Sequence, residues 1–561
     1  MTTRVLVGVS AAATTAVMAP LWRPGYLLYR DAVSTPRTFL TDTTLGIGGN
    51  PPRAVPQDGL IAVLSTLFDG GAVVVTIMTL ALFLAGLGYG ALAHRILPDA
   101  GSAGAAAAAL VGIWNPFVAE RLLQGHWSLL TGYAALGWIL LSALQIRSNE
   151  GSGRPWSVLS AAVLCAALTP SGWLVGTVTL VAALTIPLAV RRRWRACAAS
   201  LAPVAVGMAP WLGAVLVGPS VTTVQAVSVP TFAVRAEPGL GRVLTVLSMG
   251  GIWNTDAVPA SRQTPWAVVA AVLFIAVVAV GIRSLWQRRP VFDAEARSVV
   301  DTASAVGLGA LGLVLVASTG PGLTVLGRLA STVGGAGLLR DAGKFVMLAM
   351  PLVALAATAF VGTLRRWVPA GFAVGAAALL IVAPLPDLAW GVGGRIAPIS
   401  YPDEWRAVAG RIPADSGAVA LWPGDTVRRF DFARGPSLDP TARMVRAAVA
   451  ESGRLSVDGR VVDGGSVWAD DIHRTLADGG DVAALGVGWV VASAPVPGFG
   501  RVAPTYRGPT LTLYRIPAPH NDIGASTTDR RIALTALWLW IGALLCAVIA
   551  VVATWPGLRR R

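Results

Sequence analysis

The sequence predicts a predominantly α-helical polytopic membrane protein with a C-terminal extracytoplasmic α/β domain placed before its last helix. Three observations lead there. Of the 561 residues, 54% are hydrophobic and 13% charged, with a mean hydropathy of +0.65, which is too apolar for a string of soluble domains. Runs of about 18 or more apolar residues recur as far as residue 388 and again at 533–555, each long enough to cross roughly 30 Å of hydrocarbon as a helix. Between them, over 390–528, hydropathy falls sharply.

About twelve spans are expected, at 5–21, 71–92, 102–116, 127–146, 156–170, 172–190, 197–217, 264–285, 299–318, 346–363, 368–388 and 533–555. With the N-terminus inside, the clusters Arg191-Arg192-Arg193 with Arg195, Arg288-Arg289, Arg365-Arg366 and Arg559-Arg560-Arg561 all fall on the cytoplasmic face, and the reverse orientation puts all of them outside. Both termini are therefore expected in the cytoplasm of a multi-pass plasma-membrane protein. A cleaved signal peptide at 5–21 is the alternative, but its loss leaves the remaining clusters on the wrong side. The net charge of +15 is split between two membrane faces, which argues against nucleic acid as a partner. Cys165, Cys197 and Cys546 lie in or beside spans, so they read as small core residues rather than a disulfide or metal framework.

The chain divides into a membrane module, 1–389, with external loops 22–70, 218–263 and 319–345, then the external segment 390–528, then a final helix and basic tail, 529–561. The three loops are too long for simple turns and keep aromatic and apolar residues, so they read as loops with short interfacial helices lining one external cavity. In 390–528, "YPDEWRAVAGRI" begins like a helix, with acids where an N-terminal dipole favours them. "GAVALW", "GWVVAS" and "LTLYRI" read as buried strands. Asp470, Asp471 and His473 in "WADDIHRTL" are read as the acidic first turn of a solvent-facing helix rather than a metal cluster.

The residues able to do chemistry gather in the external loops. "GLLRDAGKFV", 337–346, holds the only lysine among 44 cationic side chains. Arg-rich composition explains why lysine is rare, not where it sits. At the mouth of span 346–363, Lys344 and Arg340 suit a phosphate entering from the lipid, although two snorkelling cations or a pairing with Asp341 would leave the same pattern. In the first loop, Asp31 is the candidate general base, with Asp42 and Asp58 as reserve acids, and a solvated salt bridge from Asp31 to Arg30 or Arg37 is the plain alternative. "WNPFVAERLLQGHW", 114–127, places Glu120, Arg121, Gln124, His126 and Trp127 close together after the break at Asn115-Pro116. That set suits a sugar or headgroup site, or an interfacial amphipathic helix.

An internal N-terminal helix, a long first loop carrying an acid, about a dozen spans and an external α/β domain resemble the GT-C membrane glycosyltransferases. "WNPFVAERLLQGHW" and "LLRDAGKF" are similar to stretches in actinobacterial members of that family. The resemblance implies a polyprenyl-phosphate sugar as donor, an envelope glycan or glycolipid as acceptor, and inverting transfer on the outer face. Asp31 would then take the acceptor proton, Lys344 and Arg340 would hold the leaving phosphate, and Glu120, Arg121, Gln124, His126 and Trp127 would contact sugar or acceptor. Many members carry two adjacent acids where this chain has Arg30-Asp31. No cofactor is expected, and no metal is required because no clustered acid pair is visible, although Asp42 or Asp58 could hold a divalent ion. The absence of a Gly-rich phosphate loop fits a donor that is not a nucleotide sugar. The alternative is a non-catalytic transporter or scaffold for polyprenyl-linked glycans, but a transporter is expected to carry ionisable residues within its spans and matched halves.

Overall fold

Among the described residues, ten helices of the computed structural model are long and apolar enough to cross a membrane: Thr2–Trp22, Gly70–Ile96, Pro98–Gln124, Leu129–Arg147, Pro170–Val190, Trp194–Val217, Trp266–Val291, Ala294–Ala317, Ala342–Leu364 and Thr527–Ala553. The segment Gly371–Val382 followed by Pro386–Gly393 bends by 74° and makes an eleventh if counted as one span. The structure describes residues 1–149, 153–218, 226–453, 455–457, 460–461, 466–520 and 524–554. The chain is a polytopic helical membrane protein. Against the expected twelve spans, 156–170 folds as the 13-residue helix Arg154–Ala166, about 20 Å long and short of a full crossing. The cluster at 559–561, used to orient the tail, lies outside the described residues.

Caps explain many helix starts. Asp69 accepts from Ala72 N at the head of Gly70–Ile96, Thr169 from Gly172 N, and Ser526 from Asp529 N in a capping box. The most enclosed spans are Pro98–Gln124 and Ala342–Leu364, each 83% buried, whereas Thr527–Ala553 is 22% buried and lies at the periphery. Small residues let the inner helices approach. A Cβ on Gly281 would lie 2.1 Å from the carbonyl oxygen of Ala356, so Trp266–Arg288 and Met350–Leu364 touch backbone to backbone.

A four-stranded mixed sheet lies between Ala418 and Arg515, in the order Ala418–Trp422, Val487–Ala492, Thr512–Arg515, Tyr506–Arg507; the first pair is parallel and the others antiparallel. Alternate residues face opposite sides, as the strand period demands. Val419, Leu421, Trp489, Val491 and Leu513 pack with Trp405 and Val408 of helix Asp403–Gly410. Ala420, Val490 and Tyr514 pack with Ile472 and Leu476 of helix Val467–Ala477. Asp470 occupies the first turn of that second helix, and Asp471 pairs with Arg474.

The sheet segment is docked on the first loop. Leu28 and Val33 belong to the Trp405 core, Tyr26 and Ile399 exchange backbone hydrogen bonds of 2.9 Å each way, and Arg30 N donates to Pro436 O at 2.7 Å. The hairpin that carries Asp31 is therefore held between the helical bundle and the sheet.

Candidate functional site

Asp31 stands in the two-residue turn of a short hairpin, Leu28–Tyr29 paired with Ala32–Val33. The turn puts Arg30 at φ 52°, the left-handed conformation that tight hairpins need. Facing it is the end of the broken span. Asn115 halts the first half and caps the second, its Oδ1 accepting from Val118 N at 3.1 Å with Pro116 in the first helical turn. The short helix Pro116–Gln124 ends on Gly125 in the left-handed conformation (φ 86°). A Cβ there would lie 2.3 Å from Ala32 N and 2.8 Å from Asp31 N. Glycine is what allows this turn to meet the hairpin, and Asp31 N donates to Gln124 O at 3.2 Å.

The side chains then form a chain of contacts. His126 Nε2 lies 3.0 Å from Asp31 Oδ2, and Gln124 Nε2 donates to the same oxygen at 3.3 Å. Arg121 Nη1 lies 3.3 Å from His126 Nδ1 and donates to Asp341 Oδ2 at 3.2 Å, while Lys344 Nζ lies 3.7 Å from that oxygen. Asp31, His126 and Lys344 keep 37%, 19% and 22% of their side chains accessible, whereas Arg121 and Asp341 keep 1% and 5%. Three reachable groups are thus backed by a buried ion pair. Asp31 Oδ1 accepts no hydrogen bond from any described residue.

The contacts fix protonation. A guanidinium can only donate, so His126 Nδ1 must accept from Arg121, which leaves the ring proton on Nε2 to donate to Asp31. Burial lowers the proton affinity of His126; Asp31 opposes this, while Lys344 and Arg121 add to it, and the imidazole ends below its ordinary value. Burial pushes Asp31 up, but His126, Gln124 and Lys344 outweigh it and hold the carboxyl below its ordinary value. Asp341 is likewise raised by burial and brought below its ordinary value by Arg121, Lys344 and His126. Near neutral pH Asp31 and Asp341 are therefore carboxylates and His126 a neutral imidazole.

The other residues singled out in the sequence lie elsewhere. Arg340 stacks on Phe232, its Cζ 4.3 Å from the ring centroid, and is within electrostatic reach of Lys344. Glu120 is 1% exposed, and its carboxylate accepts from Gly251 N and Ile252 N at 3.1 and 3.0 Å; Trp127 is 1% exposed in the main core. As placed, these two hold the loop together and present no face to a ligand. Gln124 also accepts from Asn254 Nδ2 at 2.8 Å. Asp42 accepts from Arg530 Nε and Nη2 at 2.7 and 2.8 Å, pinning the last helix to the first loop. Asp58 lies 2.9 Å from Arg443 Nη2, joining the loop to the sheet segment. Neither reserve acid shares a contact with Asp31. The salt bridge considered for Asp31 is not formed either: Arg30 donates to Asp256 O at 2.8 Å and Arg37 to Ala62 O at 3.3 Å. Among the described residues no group of three or more His, Cys, Asp or Glu side chains could hold a metal.

Fold and site together define a polytopic helical membrane protein with an acid, an imidazole and a lysine grouped where three loops meet. No protein-family model matches the chain, and no curated protein matches it.

Proposed function

We propose that this protein is a membrane glycosyltransferase of GT-C type that moves a sugar from a polyprenyl-phosphate donor to an envelope glycan or glycolipid on the outer face of the plasma membrane, with inversion. The observation that carries the reading is an ionised, partly accessible Asp31, with one carboxylate oxygen unused by any described residue, in the same cluster as the accessible Lys344. Asp31 Oδ1 takes the proton of an acceptor hydroxyl as its oxygen bonds to the anomeric carbon. The bond from that carbon to the phosphate oxygen breaks, and Lys344, with Arg340 behind it, stabilises the departing polyprenyl phosphate. His126 and Gln124 hold Asp31 through the other oxygen. In this reading the segment 390–528 is an extracytoplasmic α/β domain that packs over the first loop and helps receive the acceptor, and both termini are cytoplasmic.

The test is to incubate the purified full chain with labelled polyprenyl-phosphate sugars and a membrane glycan extract, and to look for a glycosidic product. Transfer by the wild type and none by Asp31→Asn is the expected result. No product from any donor would leave a non-catalytic transporter or scaffold for such glycans as the better reading.

A further inference from the structure

The seam between the hairpin and the sheet segment holds three arginines that the transfer chemistry does not use. Arg30 is 7% exposed, Arg395 half-buried and Arg434 exposed, so they form a series from interior to surface. Each donates to main-chain carbonyls. Arg30 Nη2 reaches Asp256 O at 2.8 Å. Arg395 reaches Val258 O at 3.0 Å and shares Asp256 O with Arg30. Arg434 Nη1 reaches Gly394 O, the residue before Arg395, at 2.8 Å. Among the described residues none of the three forms a close ion pair with a carboxylate, and Asp256 accepts from two of them through its carbonyl while its carboxylate acts on Arg30 only through space.

Charge accounting makes this unusual. Elsewhere in the chain buried arginines are matched: Arg121 with Asp341, Arg262 with Glu237, Arg443 with Asp58 and Arg147 with Glu295. A buried cation without a counter-ion is expensive, and Arg30 Nη1 is enclosed with no hydrogen-bond partner. Burial lowers the proton affinity of Arg30; Tyr29 opposes this, the neighbouring Arg395 charge adds to it, and the more distant Asp256 and Asp31 carboxylates oppose it through space. The guanidinium also lies over the Tyr29 ring at 5.2 Å, which fixes its plane. A planar fork with a donor to spare, backed by two further forks, matches the geometry that guanidinium groups use to grip oxyanions.

We propose that Arg30, Arg395 and Arg434 form a binding site for a phosphate group, distinct from Lys344 and one residue away from Asp31. The phosphate supplies the close ion pair that no described carboxylate makes with these arginines, and it comes either from a lipid headgroup or from a soluble phosphate-bearing molecule. This site does not depend on the transferase reading.

The experiment uses the full chain in a non-ionic maltoside detergent and a Lys344→Ala background, so that the other cation cannot respond. Inorganic pyrophosphate is titrated in one arm and phosphatidylglycerol mixed micelles in the other, against sodium chloride at equal ionic strength, with the thermal unfolding midpoint as readout. A saturable rise in the midpoint is expected, with apparent affinity weakened about tenfold by Arg395→Gln, the loss of one charge-assisted contact, less by Arg434→Gln, and not at all by Arg406→Gln, a change to an exposed arginine paired with Asp403. Arg395 carries the test because Arg30→Gln removes a buried group, so that its effect on folding is not separable from its effect on binding. A response to pyrophosphate assigns a soluble phosphate, and a response to phosphatidylglycerol alone assigns a headgroup. Equal responses with and without Arg395→Gln, or no response in either arm, overturn the proposal.

Discussion

Replacing His126 tests the cluster most directly, because the imidazole touches Asp31 on one side and Arg121 on the other. His126→Ala removes the donor 3.0 Å from Asp31 Oδ2 and leaves burial, which raises the carboxyl, opposed only by Gln124 and Lys344 among the groups that lower it. The sign follows: Asp31 lies below its ordinary value in the wild type, so losing His126 moves it up and the acidic limb of the pH–rate profile moves to higher pH. A hydrogen bond to a charged group contributes about 1.5–3 kcal/mol, and part of the Asp31 side chain is accessible, so the lower end applies and protonation shifts by roughly a factor of ten. His126→Gln can place an amide donor on the same oxygen and is expected to bring the limb back. The groups facing this pair are Arg30 beside Asp31, Gln124, Arg121, Asp341 and Lys344, all kept in both variants. The assay is initial transfer rate from pH 4 to 8 in the reconstituted system. An active enzyme whose acidic limb stays in place after His126→Ala would refute the role given to the imidazole, whereas inactivity of the wild type refutes the transferase reading itself.

Further outcomes follow from other contacts. Asp58→Ala leaves Arg443, 7% exposed, without its partner and is expected to destabilise the chain by about 3–5 kcal/mol; thermal unfolding measures this, and Asp58→Leu with Arg443→Met is expected to recover much of it. Gly125→Ala meets both a left-handed backbone and the Ala32 amide, so it is expected to lose about 1–2 kcal/mol from the conformation alone and to lower transfer more than donor binding, because Asp31 shifts. Lys344→Ala should weaken binding of a polyprenyl phosphate more than Lys344→Arg does, by about tenfold, measured by titration of the lipid phosphate; equal binding by all three proteins would leave the lysine as an anchor.

How much of this was legible in the sequence depends on the range of the physics involved. Spans and strands rest on local hydropathy, side-chain period and turn chemistry, and many were readable: Asn115-Pro116 breaks a helix, and "GAVALW" contains the strand Ala418–Trp422. The 156–170 segment misled because apolar length alone does not say where a helix stops. "PFVAERLLQ" reads as part of a sugar or headgroup site, or as an interfacial amphipathic helix, but all nine of its residues are buried, and its charges are met by backbone amides and ion pairs supplied from other loops.

By itself the sequence determined that this chain spans a membrane repeatedly, since the free energy of moving apolar side chains out of water adds along the chain without reference to distant partners. Only the tertiary structure decided which acid stays accessible and which are tied to arginines. Asp31 and Gln124 are 93 positions apart, Arg121 and Asp341 are 220 apart, and Asp42 and Arg530 are 488 apart. Charge pairing acts over a few ångströms of space and carries no trace of its partner in the local sequence. The candidate base and its two reserves in one loop were thus separated into a reachable carboxylate held by His126 and Gln124 and two structural ties to Arg530 and Arg443.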